Sequence, residues 1–300
     1  MLRREFRQPP RGRRVELGNG RSCFVREAGF DRGAPPLLLL HGWLASAGLN
    51  WLRAFAPLAR HYRVLAPDFP GHAHGEPSAT GFAIEDCADD MGALLETLSP
   101  QAPAIVIGYS LGGMVAQEVW RRHTERVAGL VLGATSSAPV PGQRDRNPFA
   151  RVMQMAHSAS RQLQWIVDPP RRLAEFVGGL LCPPRVPRQQ GREAGKRGAC
   201  LARGWALREF MGHHWPTVLD AGRAIAEFDA RSWIDAVDVP TTVLVTGRDS
   251  LVPPEQQREL ARSISGARIE TIDAGHFACV LDDFAPRLLR SVRAVERAMT

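Results

Sequence analysis

The chain of 300 residues is 44% hydrophobic, long and apolar enough to bury one large core with an insertion rather than several independent domains. No apolar run approaches the ~18 residues a membrane span needs, and Met1 to Arg7 lacks the apolar stretch of a secretory signal, so a cytoplasmic protein without stable membrane insertion is expected. The net charge of +7 comes from 38 basic residues of which Lys196 is the single lysine; the clusters at Arg3 to Arg14 and Arg185 to Arg203 carry no interleaved stacking aromatics, which argues against nucleic acid as a partner.

In chain order, residues 1–14 read as a basic flexible arm, because Pro9-Pro10-Arg11-Gly12 blocks regular structure. Arg14 to Leu17 and Ser22 to Glu27 flank Gly18-Asn19-Gly20 as a hairpin. The apolar strand Leu37 to Leu40 then runs into a tight turn, His41-Gly42-Trp43. A helix around Trp51 to Arg60 and a strand over Arg63 to Ala66 lead to the loop Pro67 to Gly75. Its His72 and His74 have no acidic or cysteine partner at ligating spacing, and no metal is assigned. From Ile84 to Leu98, Cys87, Met91, Leu94, Leu95 and Leu98 make one apolar helical stripe.

The strand Ala104 to Gly108 drives into Gly108-Tyr109-Ser110-Leu111-Gly112, a G-x-S-x-G turn that exposes a serine between strand and helix. Such a turn is crowded, and Gly108, Gly112 and Gly113 remove the bulk. Met114, Val115, Val119 and Trp120 give the following helix its period. The strand Val127 to Gly133 ends in Ala134 to Ser137, with no acid there.

Residues 15–137 are thus the first half of a core, and the strand rhythm stops over 138–225. Helical periodicity recurs near 149–166, 173–181 and 202–219, while Pro183 to Gly198 is polar, Pro/Gly-rich and expected to be mobile. This insertion reads as a helical cap over the serine. Trp165, Trp205, Phe210, His214 and Trp215 are candidates for a substrate pocket in it, or for the core of the cap itself. Residues 226–300 resume the core with the strand Thr241 to Thr246, whose turn presents Asp249, and a strand from Ala267 toward Asp273 that leads to His276.

A serine hydroxyl needs a base to take its proton, and the base needs a carboxylate to orient it. Ser110, His276 and Asp249 are the candidates for these roles. Read singly, Asp249 could also cap the helix that starts near Pro253, and His276 could be an ordinary loop residue. The five cysteines, Cys23, Cys87, Cys182, Cys200 and Cys279, form no C-x-x-C pair and are expected as free thiols.

With the order Ser110, Asp249, His276 and the His41-Gly42-Trp43 turn, the sequence resembles the α/β-hydrolase superfamily over nearly its whole length, in particular its cap-containing, serine-nucleophile esterases and lipases. The resemblance implies an α/β fold with a mostly parallel sheet, helices on both faces and an inserted helical cap. It also implies an oxyanion hole made by the backbone N–H groups of Trp43 and Leu111, with His41 fixing the loop. The implied activity is cofactor-free hydrolysis of small-molecule carboxylic esters through an acyl-enzyme. C–C bond hydrolysis, thioester hydrolysis, perhydrolysis, acyl transfer and a non-catalytic ligand-binding role remain as alternatives. Relatives often show D-x-x-G-x-G-x-S where this chain has Asp68 to Gly75, so Ala73 and Gly75 depart from it. Epoxide hydrolases of similar fold use an aspartate nucleophile and cap tyrosines, whereas Tyr62 and Tyr109, the two tyrosines here, lie outside the cap.

Overall fold

Strands form at the short apolar runs: β1 (Gly12–Glu16), β2 (Ser22–Ala28), β3 (Leu37–Leu40), β4 (Val64–Pro67), β5 (Ala104–Tyr109), β6 (Val127–Gly133), β7 (Thr241–Thr246) and β8 (Arg268–Ile272). In a computed structural model that describes residues 8–18, 20–138 and 204–299, they make one 8-stranded sheet in the order β1-β2-β4-β3-β5-β6-β7-β8. β2 pairs antiparallel with β1 and with β4, and every pairing from β4 to β8 is parallel.

A parallel sheet covered on both faces needs apolar side chains in both directions. β3 is four leucines for this reason: Leu37 and Leu39 enter one core cluster, Leu38 and Leu40 the other. Ile105 and Ile107 alternate with Val106 in the same way along β5. Helix α1 (Ala47–Ala59) and the C-terminal helix Phe284–Ala298 cover the first face. Helices α2 (Ile84–Leu98) and α3 (Leu111–Arg122), with the helix Pro254–Ser263, cover the second. The chain after β3 turns to β4 on one side while β5 lies on the other, and α1 and α3 depart to opposite faces. That reversal falls at the carboxyl ends of β3 and β5, the place where open α/β sheets bind ligands.

Several boundaries differ from the sequence reading for identifiable reasons. β1 begins at Gly12, so the last residues of the expected arm are strand, and Arg26 Nη1 donates to Pro10 O at 2.9 Å. α1 starts at Ala47 rather than near Trp51, because the Ser46 hydroxyl accepts the Leu49 amide at 3.1 Å as an N-cap. The periodic stretch 202–219 is not one helix: residues 204–211 are helical, the chain breaks at His213-His214, and a new helix runs Trp215–Glu227 with Pro216 in its first turn. The amphipathic C-terminal helix, which buries Phe284, Leu288, Val292 and Val295, was not anticipated.

Trp165, the expected helices 149–166 and 173–181, the segment 183–198, Cys182 and Cys200 lie outside the described residues. Cys23, Cys87 and Cys279 are free and buried, and burial pushes their thiols up, that of Cys279 to about 12. Among the described residues no helix is long and apolar enough to cross a membrane.

Candidate active site

β5 ends at Tyr109 and α3 begins at Leu111, so Ser110 makes the turn alone. It does so at φ 54° and ψ −118°, a conformation that costs a non-glycine residue about 1–3 kcal/mol. The turn closes because its neighbours lack side chains: a Cβ on Gly108 would lie 2.2 Å from Gly112 O, and one on Gly112 would lie 2.1 Å from Leu40 O. Gly113 is similarly tight against Thr135 at 2.4 Å, whereas Gly42 has ordinary clearance of 3.5 Å. Both close atoms at Gly108 and Gly112 are backbone, so relief requires the chain itself to move. Gly112→Ala should therefore destabilise the protein by about 1–3 kcal/mol, read as a lower urea midpoint; an unchanged midpoint would mean the elbow has slack.

The three polar side chains picked out at strand ends meet. His276 Nε2 lies 2.9 Å from Ser110 Oγ, and His276 Nδ1 lies 2.8 Å from Asp249 Oδ2. A carboxylate only accepts, so Nδ1 carries the proton and Nε2 accepts from the serine hydroxyl. The Asp249 side chain is fully buried and that of His276 is 11% exposed. Burial pushes the Asp249 carboxyl up, but its bonds from His276, Thr246 and the Val252 amide outweigh this and hold it below the usual carboxylate range.

Sequence reasoning missed three neighbours of this set. Buried Tyr109 donates its hydroxyl to His276 O at 2.6 Å, so β5 ties down the loop that carries His276. Thr246 Oγ1 and Gln257 Nε2 both reach Asp249 Oδ2, at 2.7 and 3.3 Å. Thr246 stands three residues before the acid and could have been suspected; nothing in the sequence marks Gln257.

Trp43 follows β3 as expected, and Leu111 opens α3 directly after Ser110. The Gly42 amide donates to Asn50 Oδ1 at 3.1 Å, which fixes the turn. His41 is fully buried; its Nδ1–H donates to Gly42 O at 2.8 Å and its Nε2 accepts the Phe69 amide at 3.0 Å, so it fastens this turn to the loop after β4. The Trp43 indole donates to Val218 O at 2.6 Å, which ties the helix Trp215–Glu227 to the same turn.

The two departures in the loop from Asp68 to Gly75 each have a local structural setting. Ala73 adopts φ 48° in place of the expected glycine, and a Cβ at Gly75 would lie 2.0 Å from Phe69 O, so serine does not fit there. The returning insertion clamps this loop: the Ala73 amide donates to His213 Nδ1 at 2.8 Å, and the His214 amide donates to Gly71 O at 2.8 Å. Of the expected pocket residues, Phe210 is fully buried with its ring 5.2 Å from that of Trp215, packing the insertion's own interior. His214 is exposed, with Nδ1 2.9 Å from Thr217 Oγ1, while Trp205 and Trp215 are partly buried.

Three buried imidazoles cluster here, the His72 ring centroid lying 5.3 Å from that of His41 and 5.4 Å from that of His213. Burial lowers the pKa of all three, that of His213 to about 4. The folded state holds them neutral while the unfolded chain protonates near 6.5. Stability is thus complete above that value and is lost as pH falls toward 4, by about 2 kcal/mol at pH 5 for His213. His213→Asn keeps an acceptor for the Ala73 amide and should flatten the loss of melting temperature between pH 7 and 4.5; parallel curves for variant and parent would contradict this.

The absence of an acidic partner for His74 in the sequence is corrected by the fold. Asp68, His74 and Glu209 bring ligand-type atoms within 4.8 Å of one another. Arg26 Nη2 lies 2.8 Å from Glu209 Oε1, and Ser46 Oγ donates to Glu209 Oε2 at 2.6 Å. His74 Nδ1 lies 3.1 Å from Asp68 Oδ2, a bond that raises its pKa. Arg26 supplies the positive charge beside Glu209, and His74 bonds Asp68. Buried Arg26, Ser46 and Glu209 anchor the residue 204–211 helix to the core, with His74 at the exposed edge of the group.

A mostly parallel sheet carrying a strained serine on a strand-to-helix turn, with an acid and a histidine after the two strands that follow the insertion, defines the α/β-hydrolase class. Residues 35–165 match the alpha/beta hydrolase fold family, and the chain belongs to that family and is a hydrolase. It is 33% identical over 81% of its length, and over 91% of the relative's, to a pimeloyl-(acyl-carrier protein) methyl ester esterase of Aromatoleum aromaticum. A non-heme chloroperoxidase of Streptomyces lividans is 29% identical, over 80% of this chain and 83% of its own. The solved structure of a thermophilic esterase from Thermogutta terrifontis superposes with a TM-score of 0.72 at 23% identity, covering 96% of this chain and 99% of that one, and shows the shared fold.

Proposed function

We propose that the protein hydrolyses carboxylic esters through an acyl-enzyme on Ser110, with His276 as general base and acid and Asp249 as its orienting carboxylate. The observation that carries this is the unbroken hydrogen-bonded series from Ser110 Oγ through His276 to buried Asp249, at 2.9 and 2.8 Å. As Ser110 attacks the carbonyl carbon, its proton passes to His276 Nε2 while the backbone N–H groups of Trp43 and Leu111 hold the oxyanion. His276 then gives the proton to the departing alkoxide, and water repeats the sequence to release the acid. Relatives named as methyl ester esterases support a small alcohol as leaving group.

Labelling with a fluorophosphonate, followed by a series of p-nitrophenyl esters of graded acyl length, tests the reading. Stoichiometric labelling is expected, with kcat/KM rising about fourfold per added CH₂ until the acyl pocket is full, since each buried CH₂ contributes about 0.8 kcal/mol. Labelling without turnover would favour a ligand-binding member of the fold. Turnover confined to thioester, diketone or peroxide substrates would select one of the other chemistries of the same residues.

A further inference from the structure

Asp249 is held far more tightly than its bond to His276 alone requires. Its Oδ1 accepts the amides of Leu251 and Val252, each at 2.9 Å. Its Oδ2 receives three groups: His276 Nδ1 at 2.8 Å, Thr246 Oγ1 at 2.7 Å and Gln257 Nε2 at 3.3 Å. Thr246 is the last residue of β7 and Gln257 sits on the helix Pro254–Ser263; both are 0% exposed.

The direction of every proton in this group is fixed by its partners. The carboxylate only accepts, so the Thr246 hydroxyl donates to it, and the hydroxyl oxygen in turn accepts from Gln257 Nε2 at 2.8 Å. The Gln257 amide cannot be flipped: its nitrogen faces Val252 O at 2.7 Å and its oxygen accepts the Thr246 amide at 2.9 Å. Gln257 thereby also braces the turn from Asp249 to Val252. The Thr246 hydroxyl has no such structural duty, because both of its bonds lie on the path from Gln257 to Asp249.

We propose that Thr246 and Gln257 are positioning residues that act on the reaction through Asp249, a role that rests on the triad reading of the preceding subsection. Two backbone amides pin Oδ1, and the Gln257 to Thr246 series occupies Oδ2 from behind. What is left open on Oδ2 is the direction in which His276 Nδ1 lies. The pair therefore selects the carboxylate rotamer, holds the imidazole where Nε2 reaches Ser110, and spreads the negative charge that must face an imidazolium during the reaction. The other ionisable groups around Asp249 are turned elsewhere. Tyr109 donates to His276 O, Arg248 pairs with exposed Asp273, and on the helix Pro254–Ser263 Glu255 pairs with Arg262.

The test compares Thr246→Val, which is close to isosteric and removes the hydroxyl, with Thr246→Ser, which keeps it, and with Gln257→Met, which keeps length and removes the amide. On the best ester of the series, Thr246→Val and Gln257→Met should each lower kcat about tenfold, the weight of one hydrogen bond to a charged group, with KM changed less than about twofold. The double variant should lose no more than about the larger single loss, because the two residues act in series. Thr246→Ser should stay near the parent. The acid limb of kcat/KM for the coupled Asp249–His276 pair should move to higher pH in Thr246→Val, since a stabilising donor to the ionised carboxyl has gone; a merely structural role would leave that limb in place.

Parental kcat and an unmoved acid limb in Thr246→Val would overturn the proposal. If that variant does not fold, Gln257→Met decides by the same criteria, and failure of both to fold assigns the pair to the core and overturns it as well. Ser110→Ala run alongside separates the two readings. If it is as active as the parent, the triad assignment fails; if it is inactive while Thr246→Val matches the parent, the positioning role alone fails.

Discussion

Ser110→Ala should lower kcat by roughly 10³-fold or more, because on the proposed mechanism it deletes the atom that attacks the carbonyl and leaves only oxyanion stabilisation and binding. The fold should not suffer. Alanine keeps the Cβ, so the backbone at φ 54° is neither more nor less strained, and the hydrogen bond it gives up is the one from the hydroxyl to His276. The expected result is a variant with the parental melting temperature, no fluorophosphonate label and residual activity near the limit of detection. Retained turnover in purified variant would remove Ser110 from the mechanism.

Asp249→Asn should lower ester turnover by roughly 10²- to 10⁴-fold, and the reason lies in which oxygen each partner holds. The Leu251 and Val252 amides both donate to Oδ1, so the asparagine carbonyl must take that position and its NH₂ must take the place of Oδ2. That NH₂ would face His276 Nδ1, which must then accept, leaving the proton on Nε2. An Nε2–H imidazole cannot take the serine proton. A rate within about tenfold of the parent would assign the orienting role elsewhere. Asp273 is a poor replacement, since its side chain is 84% exposed and paired with Arg248 at 2.9 Å.

What could be read before the structure follows a physical pattern. Ser110, Asp249 and His276 were legible because each follows a strand, Ser110 directly after β5, Asp249 in the turn after β7 and His276 in the turn after β8, and a parallel sheet brings the carboxyl ends of neighbouring strands to one edge. The alternating leucines of β3 and the stripe of α2 were legible for the same reason: a period states a direction. The Ser46 cap and the Phe284, Leu288, Val292, Val295 stripe carried equally local signals that the sequence reading passed over.

The rest is tertiary. Arg26 finds Glu209 across 183 residues, Trp43 finds Val218 across 175 and Tyr109 finds His276 across 167; no spacing rule encodes partners chosen by packing. His74 illustrates the point, since its acidic neighbours Asp68 and Glu209 arrive from a loop and from the far end of the insertion. The two departures in the Asp68 to Gly75 loop are likewise intelligible only in three dimensions, where Ala73 accepts a left-handed backbone and Gly75 leaves no room for a side chain.

On the proposed mechanism an ester's acyl group resides covalently on Ser110 during turnover. The most direct measurement is to quench the enzyme in acid while it is hydrolysing a p-nitrophenyl ester, then determine the intact mass and map the modified peptide. The expected result is a mass increase equal to one acyl group less one hydrogen, on the peptide that contains Ser110, and no such increase in Ser110→Ala. Turnover with an adduct confined to another residue, or undiminished turnover in Ser110→Ala, would contradict it.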